Sequence, residues 1–278
     1  MKPSIYLAIP NYNMGSQLER ILPTVINRGY KNIYILDDAS TDNSEQVASK
    51  YKKHGVIFVK ASTNKGAGAN RNRVLDYQSE GIVHFLDADV TLKGKHQVTN
   101  EINKAFDRHP DAGAIGFRVF NSDGTQYDWN FGPKRKLIDG VIWQSFDWYE
   151  KTRNKNFKKI LKKLFCQRWN SFWTYTHLES AEKEQQVGAV VECNFAVKLD
   201  DFLRVNGFDD SLRFHEIHSL ALKLDSINRS IWYIPALPVY KFDEVEVRTN
   251  RKQEYKRSRW LLDYKRLTGK YNVKKLSI

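Results

Sequence analysis

The sequence has little cysteine and no long apolar run. Only Cys166 and Cys193 occur among its 278 residues, and their spacing fits neither a disulfide framework nor a metal knuckle. No stretch approaches the roughly 18 to 20 consecutive apolar residues that a spanning helix requires, and the first residues lack the apolar core of a signal peptide. We therefore expect a protein of a reducing compartment, the cytoplasm.

Glycine-rich nucleotide-binding motifs are also missing. Neither G-x-G-x-x-G nor G-x-x-x-x-G-K-[ST] occurs in the first turn between strand and helix, which argues against a dinucleotide site and a P-loop. No internal repeat is visible. A hydrophobic content of 41% is enough to bury one large core or two fused ones. A nucleotide, if bound, must be held in another way.

Positive charge is in excess. The formal net charge of +13 calls for an anionic partner, which could be nucleic acid, a membrane or a phosphorylated substrate. Residues 151–168 carry basic residues and no acidic one, and a second basic block fills 248–270. We do not expect nucleic acid, because no recognised motif for it occurs.

The basic segment around 151–175 has an amphipathic pattern. Phe157, Ile160, Leu161 and Leu164 recur at helical spacing between lysines, and aromatic residues follow. This pattern is typical of a helix on an anionic membrane surface. An acceptor-site flap and a helix packed on the core are the alternatives. The protein would then be peripheral on the inner face of the cell membrane.

Apolar runs alternate with amphipathic stretches in the first ninety residues. The pattern predicts strands at 5–9, 33–36, 56–59 and 82–86, and helices at 16–27, 44–53 and 67–78. Such an order predicts an α/β fold with a mostly parallel sheet and helices on both faces. Ligands of such sheets bind at the carboxyl ends of the strands.

Polar residues follow each of the four strands. They are the runs Pro10-Asn11-Tyr12-Asn13, Asp37-Asp38-Ala39-Ser40-Thr41-Asp42, Asn64-Lys65-Gly66 leading to Arg71, and Asp87-Ala88-Asp89. All four should meet at one edge of the sheet. Charges gathered there must be solvated, paired or bound to a ligand, because isolated buried charges are costly.

Taken in order, these motifs resemble those of family 2 inverting glycosyltransferases of GT-A fold, among them bacterial cell-surface polysaccharide glycosyltransferases. The resemblance covers about the first 115 residues, and 188–198 with 205–210 resemble later segments of the family. It implies a nucleotide-binding subdomain at 1–115 and an acceptor-binding and catalytic-base subdomain at 116–245. The second basic block predicts a basic, helical tail at 246–278.

The implied activity is that of a hexosyltransferase or N-acetylhexosaminyltransferase. It would move a sugar from a nucleoside-diphosphate donor, expected to be a UDP sugar, to a hydroxyl of a glycan or lipid-linked acceptor in surface polysaccharide biosynthesis. A catalytically silent nucleotide-sugar or glycan-binding module is the alternative. Turnover of a panel of nucleotide sugars separates the two.

The donor site is expected to contain a divalent cation. Asp87 and Asp89 are the candidate ligands of Mn²⁺ or Mg²⁺, which would stabilise the diphosphate leaving group as a Lewis acid. By resemblance, Asp38 would accept from the uracil imide, Tyr12 would flank the base, and Arg71 would lie near the base or phosphates. Pro10 would shape the turn after the first strand.

The catalytic base is where the sequence departs from the family. The family has a Glu-Asp pair whose Asp is the base, and alignment places Glu216 on the Glu and Ile217 on the Asp. A base must reach the acceptor hydroxyl and be unprotonated, which Glu216, His215 or His218 could satisfy. We predict that Glu216 is the base.

Overall fold

The computed structural model of the protein describes most of the chain. The described residues are 2–94, 97–127, 130–132, 145, 148–149, 152–174, 181–242, 257–258, 261–262, 264–265 and 268–271. The strands are β1 (Ile5–Asn11), β2 (Ile33–Asp37), β3 (Val56–Lys60), β4 (Ile82–Leu86), β5 (Val90–Leu92), β6 (Ala112–Phe120), β7 (Phe131–Gly132), β8 (Gln185–Val187), β9 (Ala189–Val190), β10 (Asn194–Lys198) and β11 (Ser230–Lys241). The helices are α1 (Gly15–Val25), α2 (Ser44–Ser49), α3 (Ala67–Asn72), α4 (Val98–Arg108), α5 (Lys155–Thr174), α6 (Leu199–Arg204) and α7 (Glu216–Ser226).

One mixed sheet of nine strands organises the fold. Its order is β3-β2-β1-β4-β10-β6-β11-β5, and β8 pairs with β11 beside this path. β1 to β4, β6 and β11 run in one direction, whereas β10, β5 and β8 run against their neighbours. The mostly parallel sheet predicted from the sequence is confirmed, and six carboxyl ends share one edge.

Helices cover both faces of the sheet. On one face Leu7 of β1 packs in a core with Leu18 of α1 and Ile102 of α4. On the other face its neighbour Ala8 packs in a second core with Leu220 of α7. Successive strand residues point to opposite faces, so a strand buried on both sides reads as a continuous apolar run.

Two predicted helices are shorter than expected. α2 ends at Ser49, and a 3₁₀ turn at Lys52–His54 follows it. Gly55, at φ 79°, then reverses the chain. α3 ends at Asn72 and continues as a 3₁₀ turn at Arg73–Asp76. Periodicity alone does not separate these tighter turns from an α-helix.

The regions beyond the first ninety residues are only partly described. The expected division at residue 115 falls inside β6, and the sheet takes strands from both sides of it. α5 occupies the segment in which the basic amphipathic stretch is expected. Most of the expected tail at 246–278 lies outside the described residues. No helix in the described part of the chain has the length and apolar character needed to cross a bilayer.

Candidate functional site

Buried side chains join the carboxyl ends of β1 and β2. Asp37 accepts a hydrogen bond from Asn11 Nδ2 at 2.7 Å and another from the backbone N–H of Ser40 at 2.9 Å. Ala39, which lies just before Ser40 in the sequence, has a φ of 65°, a left-handed conformation that turns the chain sharply. Asp37 therefore shapes the edge of the sheet and is fully buried within it.

Asp38 holds the loop that follows β3. Its two carboxylate oxygens accept hydrogen bonds from the backbone N–H groups of Lys65 at 2.9 Å and Gly66 at 2.8 Å. Gly66 has a φ of 94°, and a Cβ there would lie 2.8 Å from Arg213 Nη1. Glycine is required at this turn. Each oxygen of Asp38 keeps a further lone pair with which it could accept from a nucleobase imide.

Arg71 lies at the centre of the edge. Its guanidinium is buried and pairs with two carboxylates, Asp87 at 2.7 Å and Glu216 at 3.4 Å. Burial alone would lower the pKa of Arg71, but the charges of Asp87 and Glu216 raise it. Arg71 of α3 thus brings together Asp87, which follows β4, and Glu216, which begins α7.

Asp89 has an unsatisfied oxygen. Oδ1 is buried and has no hydrogen-bond partner within the described structure. Burial and the nearby charge of Asp87 raise the pKa of Asp89 to about 6, against the opposing influence of Lys241 and Arg71. The backbone here is fixed, because Phe242 N–H donates to the Asp89 carbonyl at 2.8 Å. A buried, partnerless carboxylate oxygen fits a cation ligand.

This edge fits a metal that is shared with a substrate. Among the residues described, no three His, Cys, Asp or Glu side chains form a cluster that could hold a metal by themselves. Mg²⁺ in proteins is commonly held by one or two carboxylates together with substrate phosphates. Asp87 is already paired with Arg71. Asp89 is therefore the better placed ligand of the two.

The start of α7 carries the three residues considered as bases. Glu216 is 6% exposed, and burial raises its pKa while Arg71 opposes that rise. His215, directly before the helix, has a φ of 64°, and its ring lies 5.6 Å from that of His218. His218 lines a cleft beside β8 and the start of β11. Ile217 is buried in the core.

The sequence of this chain matches a known family. A family model described as Glycosyl transferase family 2 matches residues 6–175. The chain belongs to this family.

Curated relatives agree with the family 2 assignment. The chain is 27% identical over 131 residues to TuaG of Bacillus subtilis, a protein named for teichuronic acid biosynthesis, covering 46% of this chain and 52% of TuaG. It is 29% identical over 164 residues to the glycosyltransferase GlyA of Streptococcus pneumoniae, covering 56% of this chain and 23% of GlyA. The chain thus aligns with about half or less of these relatives.

A third relative is named by its reaction. WfaP of Escherichia coli, a UDP-Glc:alpha-D-GlcNAc-diphosphoundecaprenol beta-1,3-glucosyltransferase, is 31% identical over 99 residues, covering 34% of this chain and 39% of WfaP.

Solved structures share the fold of this family 2 chain. Residues 1–349 of Staphylococcus aureus TarS match with a TM-score of 0.57 and 14% identity, covering 93% of this chain and 64% of that one. The mannosyltransferase PcManGT of Pyrobaculum calidifontis, in complex with GDP-Man and Mn²⁺, matches with a TM-score of 0.56 and 16% identity, covering 90% and 59%. At such identities the likeness concerns the fold alone, which is α/β and GT-A-like.

The structure places Pro10 differently from the sequence prediction. β1 continues through Asn11, which pairs with Asp37, so Pro10 lies within the strand opposite Leu36 and does not shape the turn. The strand thus extends two residues beyond its predicted end at Ile9. Tyr12 follows the strand directly and is half-buried at the same edge.

Sequence reasoning gave no role to Glu192, which lies between β9 and β10. The backbone carbonyl of the next residue, Cys193, accepts a hydrogen bond from the Asp87 backbone N–H at 3.2 Å, so Glu192 stands beside the acidic edge. Burial and the charge of Glu216 raise the pKa of Glu192 to about 7, although Arg71 opposes the rise. A single acid inside the apolar run from Ala189 to Cys193 was the available signal.

Proposed function

We propose that this family 2 protein transfers a sugar from a nucleoside-diphosphate donor, with UDP as the nucleotide, to a hydroxyl of a glycan or lipid-linked acceptor. Surface polysaccharide biosynthesis is the proposed setting. The observation that carries the proposal is the meeting of Asp38, Arg71, Asp87, Asp89 and Glu216 at one sheet edge. The reaction that WfaP is named for, with a UDP sugar and a diphosphate-linked lipid, supports it.

The donor diphosphate would face both cationic and acidic groups. We assign Asp89, with Asp87 beside it, as the ligands of Mn²⁺ or Mg²⁺, and the buried partnerless Oδ1 of Asp89 supports this assignment. A bound divalent cation would neutralise charge that develops on the leaving diphosphate. Arg71 would fix the direction of the Asp87 carboxylate, because the two groups form a charge-assisted hydrogen bond of 2.7 Å.

Direct displacement of the diphosphate inverts the anomeric carbon and requires a base to take the proton of the acceptor hydroxyl. The acceptor oxygen forms a bond to the anomeric carbon while the bond from that carbon to the diphosphate oxygen breaks, and the hydroxyl proton leaves to a protein group. We propose Glu216 as that group, since it is the carboxylate that Arg71 joins to Asp87. Glu192 is the competing candidate, because a pKa of about 7 suits a base at neutral pH.

Release of nucleoside diphosphate from a panel of nucleotide sugars tests the proposal. The protein is incubated with Mn²⁺, each donor, and membrane lipid extracts or soluble glycans as acceptors. Acceptor-dependent release of UDP from at least one UDP sugar is expected. Binding of a nucleotide sugar with no turnover for any acceptor would instead favour a silent binding module.

A further inference from the structure

Helix α5 presents an apolar stripe to solvent. Phe157 is 40% exposed, Ile160 54% and Leu164 64%. Their spacing of three and four residues places them on one face of the helix. Leu161, on the neighbouring face, is only 4% exposed, so α5 rests on the protein by one side and leaves the stripe uncovered.

The exposed apolar residues of the protein are concentrated here. Eight large apolar side chains are markedly exposed in the described part of the chain, and four of them lie between residues 148 and 164. Trp148, at 52% exposure, is the fourth. Such a concentration differs from the scattered apolar residues of an ordinary surface.

Trp148 is tied to the start of α5. The Thr152 backbone N–H donates to the Trp148 carbonyl at 2.9 Å, and the ammonium of Lys158 lies 4.8 Å from the ring centre of Tyr149. Asn154 caps the helix, because its Oδ1 accepts from the N–H groups of Asn156 and Phe157 at 3.0 and 3.1 Å. The tryptophan is therefore held close to the start of the helix.

The rest of the helix surface is cationic. Lys155, Lys159, Lys162 and Lys163 are exposed and Lys158 is half-buried, while no acidic residue occurs from 151 to 168. A second copy of this chain would bring the same positive charge and repel it. A partner that complements both the lysines and the apolar stripe of α5 must have a negatively charged surface and an apolar interior.

From this combination we infer that Trp148, Phe157, Ile160 and Leu164 form a docking surface for an anionic lipid bilayer. The apolar side chains enter the boundary between head groups and acyl chains, and the lysines pair with lipid phosphates. α5 lies in the plane of the membrane. None of the described α5 side chains, at 155–164, is among the residues of the donor site described above, so the inference stands or falls independently of the transfer chemistry.

Vesicle flotation tests the docking surface. The full chain is mixed with vesicles of phosphatidylcholine alone or of equal parts phosphatidylcholine and phosphatidylglycerol. Binding is expected to the second kind only, and to weaken as salt is raised. Ile160→Ser/Leu164→Ser should weaken that binding by about tenfold or more. Lys159→Gln/Lys162→Gln/Lys163→Gln should weaken it roughly 100-fold at low salt, since each lysine near the surface contributes about fivefold.

Matched variants elsewhere control for general effects. Leu203→Ser removes an apolar side chain of α6 that is 51% exposed. Lys31→Gln/Lys52→Gln/Lys53→Gln removes three exposed lysines with the same change in net charge. Both should bind as wild type. Thermal unfolding of every variant verifies that it is folded.

Three results would overturn the inference. Equal binding by wild type and both α5 variants would remove α5 from the contact. If the Lys31→Gln/Lys52→Gln/Lys53→Gln control loses as much vesicle binding as the α5 lysine variant, binding depends on net charge and not on α5. A dimer in lipid-free sedimentation that Ile160→Ser/Leu164→Ser dissociates would show that the surface binds a second copy.

Discussion

Arg71 and Glu216 form an ion pair although 145 positions separate them in the sequence. Nη1 of Arg71 lies 3.4 Å from Oε1 of Glu216, and Nη2 of the same guanidinium lies 2.7 Å from Asp87 Oδ1. The short helix α3 after Gly66 thus connects the acidic end of β4 to the start of α7. The proposed donor side and the proposed base share one buried cation.

Removing this cation should destabilise the protein. Arg71→Met would leave the buried Glu216 without its counter-charge, so the free energy of unfolding at pH 7 should fall by about 3 to 5 kcal/mol. Denaturant unfolding measures it. Glu216→Gln added to Arg71→Met should recover part of the loss, because the orphaned charge is then gone. Additive effects of the two changes would show that the pair is not coupled.

The identity of the base can be tested with two carboxylates. Glu216→Gln keeps shape and hydrogen bonding but removes basicity, so transfer should fall about 10²- to 10⁴-fold while donor affinity stays nearly unchanged. Single-turnover rates and UDP binding measure the two quantities. His215→Ala and His218→Ala should cost much less.

Glu192→Gln is the matched comparison for this test. If Glu192→Gln abolishes transfer and Glu216→Gln retains it, the proton goes to Glu192, and Glu216 only positions Arg71. If a histidine variant alone abolishes transfer, the base is imidazole and the rate should fall at acidic pH, where the imidazole is protonated.

Gly68 sets the distance between α3 and α7. A Cβ at this position would lie 3.1 Å from Glu216 Cβ and 3.5 Å from Phe208 Cβ. Gly68→Ala should push Glu216 away and lower transfer roughly 10- to 100-fold, with a smaller effect on donor affinity. Gly132→Ala is the control, since no atom lies within 4 Å of its added Cβ. An unchanged rate in Gly68→Ala would show that the position of Glu216 does not limit transfer.

His84 should make stability depend on pH. Its Nε2 lies 2.9 Å from Asn194 Oδ1 and its Nδ1 2.7 Å from the Tyr30 hydroxyl. Asn194 Nδ2 donates to two carbonyls, so Oδ1 is the acceptor of the histidine N–H. Burial lowers the pKa of His84 to about 4.

The sign of the effect follows from proton binding. Between about pH 6.5 and 4 the unfolded chain binds a proton at His84 that the folded chain does not, so stability falls as pH falls. From pH 7 to pH 5 the loss from this group should be about 2 kcal/mol. Denaturant unfolding of His84→Gln should show a smaller pH dependence, and the exposed His54→Gln should match wild type. If the free energy of unfolding depends on pH equally in wild type and in both variants, His84 is not the group responsible.

The first half of the fold could be predicted because each strand there is a continuous apolar run. The strand observed at Ile82–Leu86 has the predicted bounds, and those at Ile33–Asp37 and Val56–Lys60 differ by one residue. β2 and β4 are buried on both faces, which leaves a clear sequence signal, whereas the edge strand β3 is only partly buried. β10 could not be placed as an antiparallel strand between β4 and β6, because its direction depends on contacts distant in sequence.

The site could be predicted only where it follows a strand. Asp38, Arg71, Asp87 and Asp89 stand at the predicted edge, but nothing local indicates that Arg71 pairs with Glu216. Glu192 was missed because its importance lies in its position, half-buried, near the charges of Glu216 and Asp87, which only the folded chain reveals. The roles of these residues in binding and catalysis stay predictions.

The central claim is that the sheet edge binds a nucleoside diphosphate together with a metal. Thermal unfolding in the presence of UDP and Mn²⁺ tests this claim most directly. At a UDP concentration about 100 times its dissociation constant, wild type should gain about 2.7 kcal/mol, and the gain should require the metal. Asp89→Asn should lose most of it, whereas the exposed surface variant Asp107→Asn should keep it. Equal stabilisation of wild type and Asp89→Asn, or stabilisation that does not depend on metal, would contradict the account.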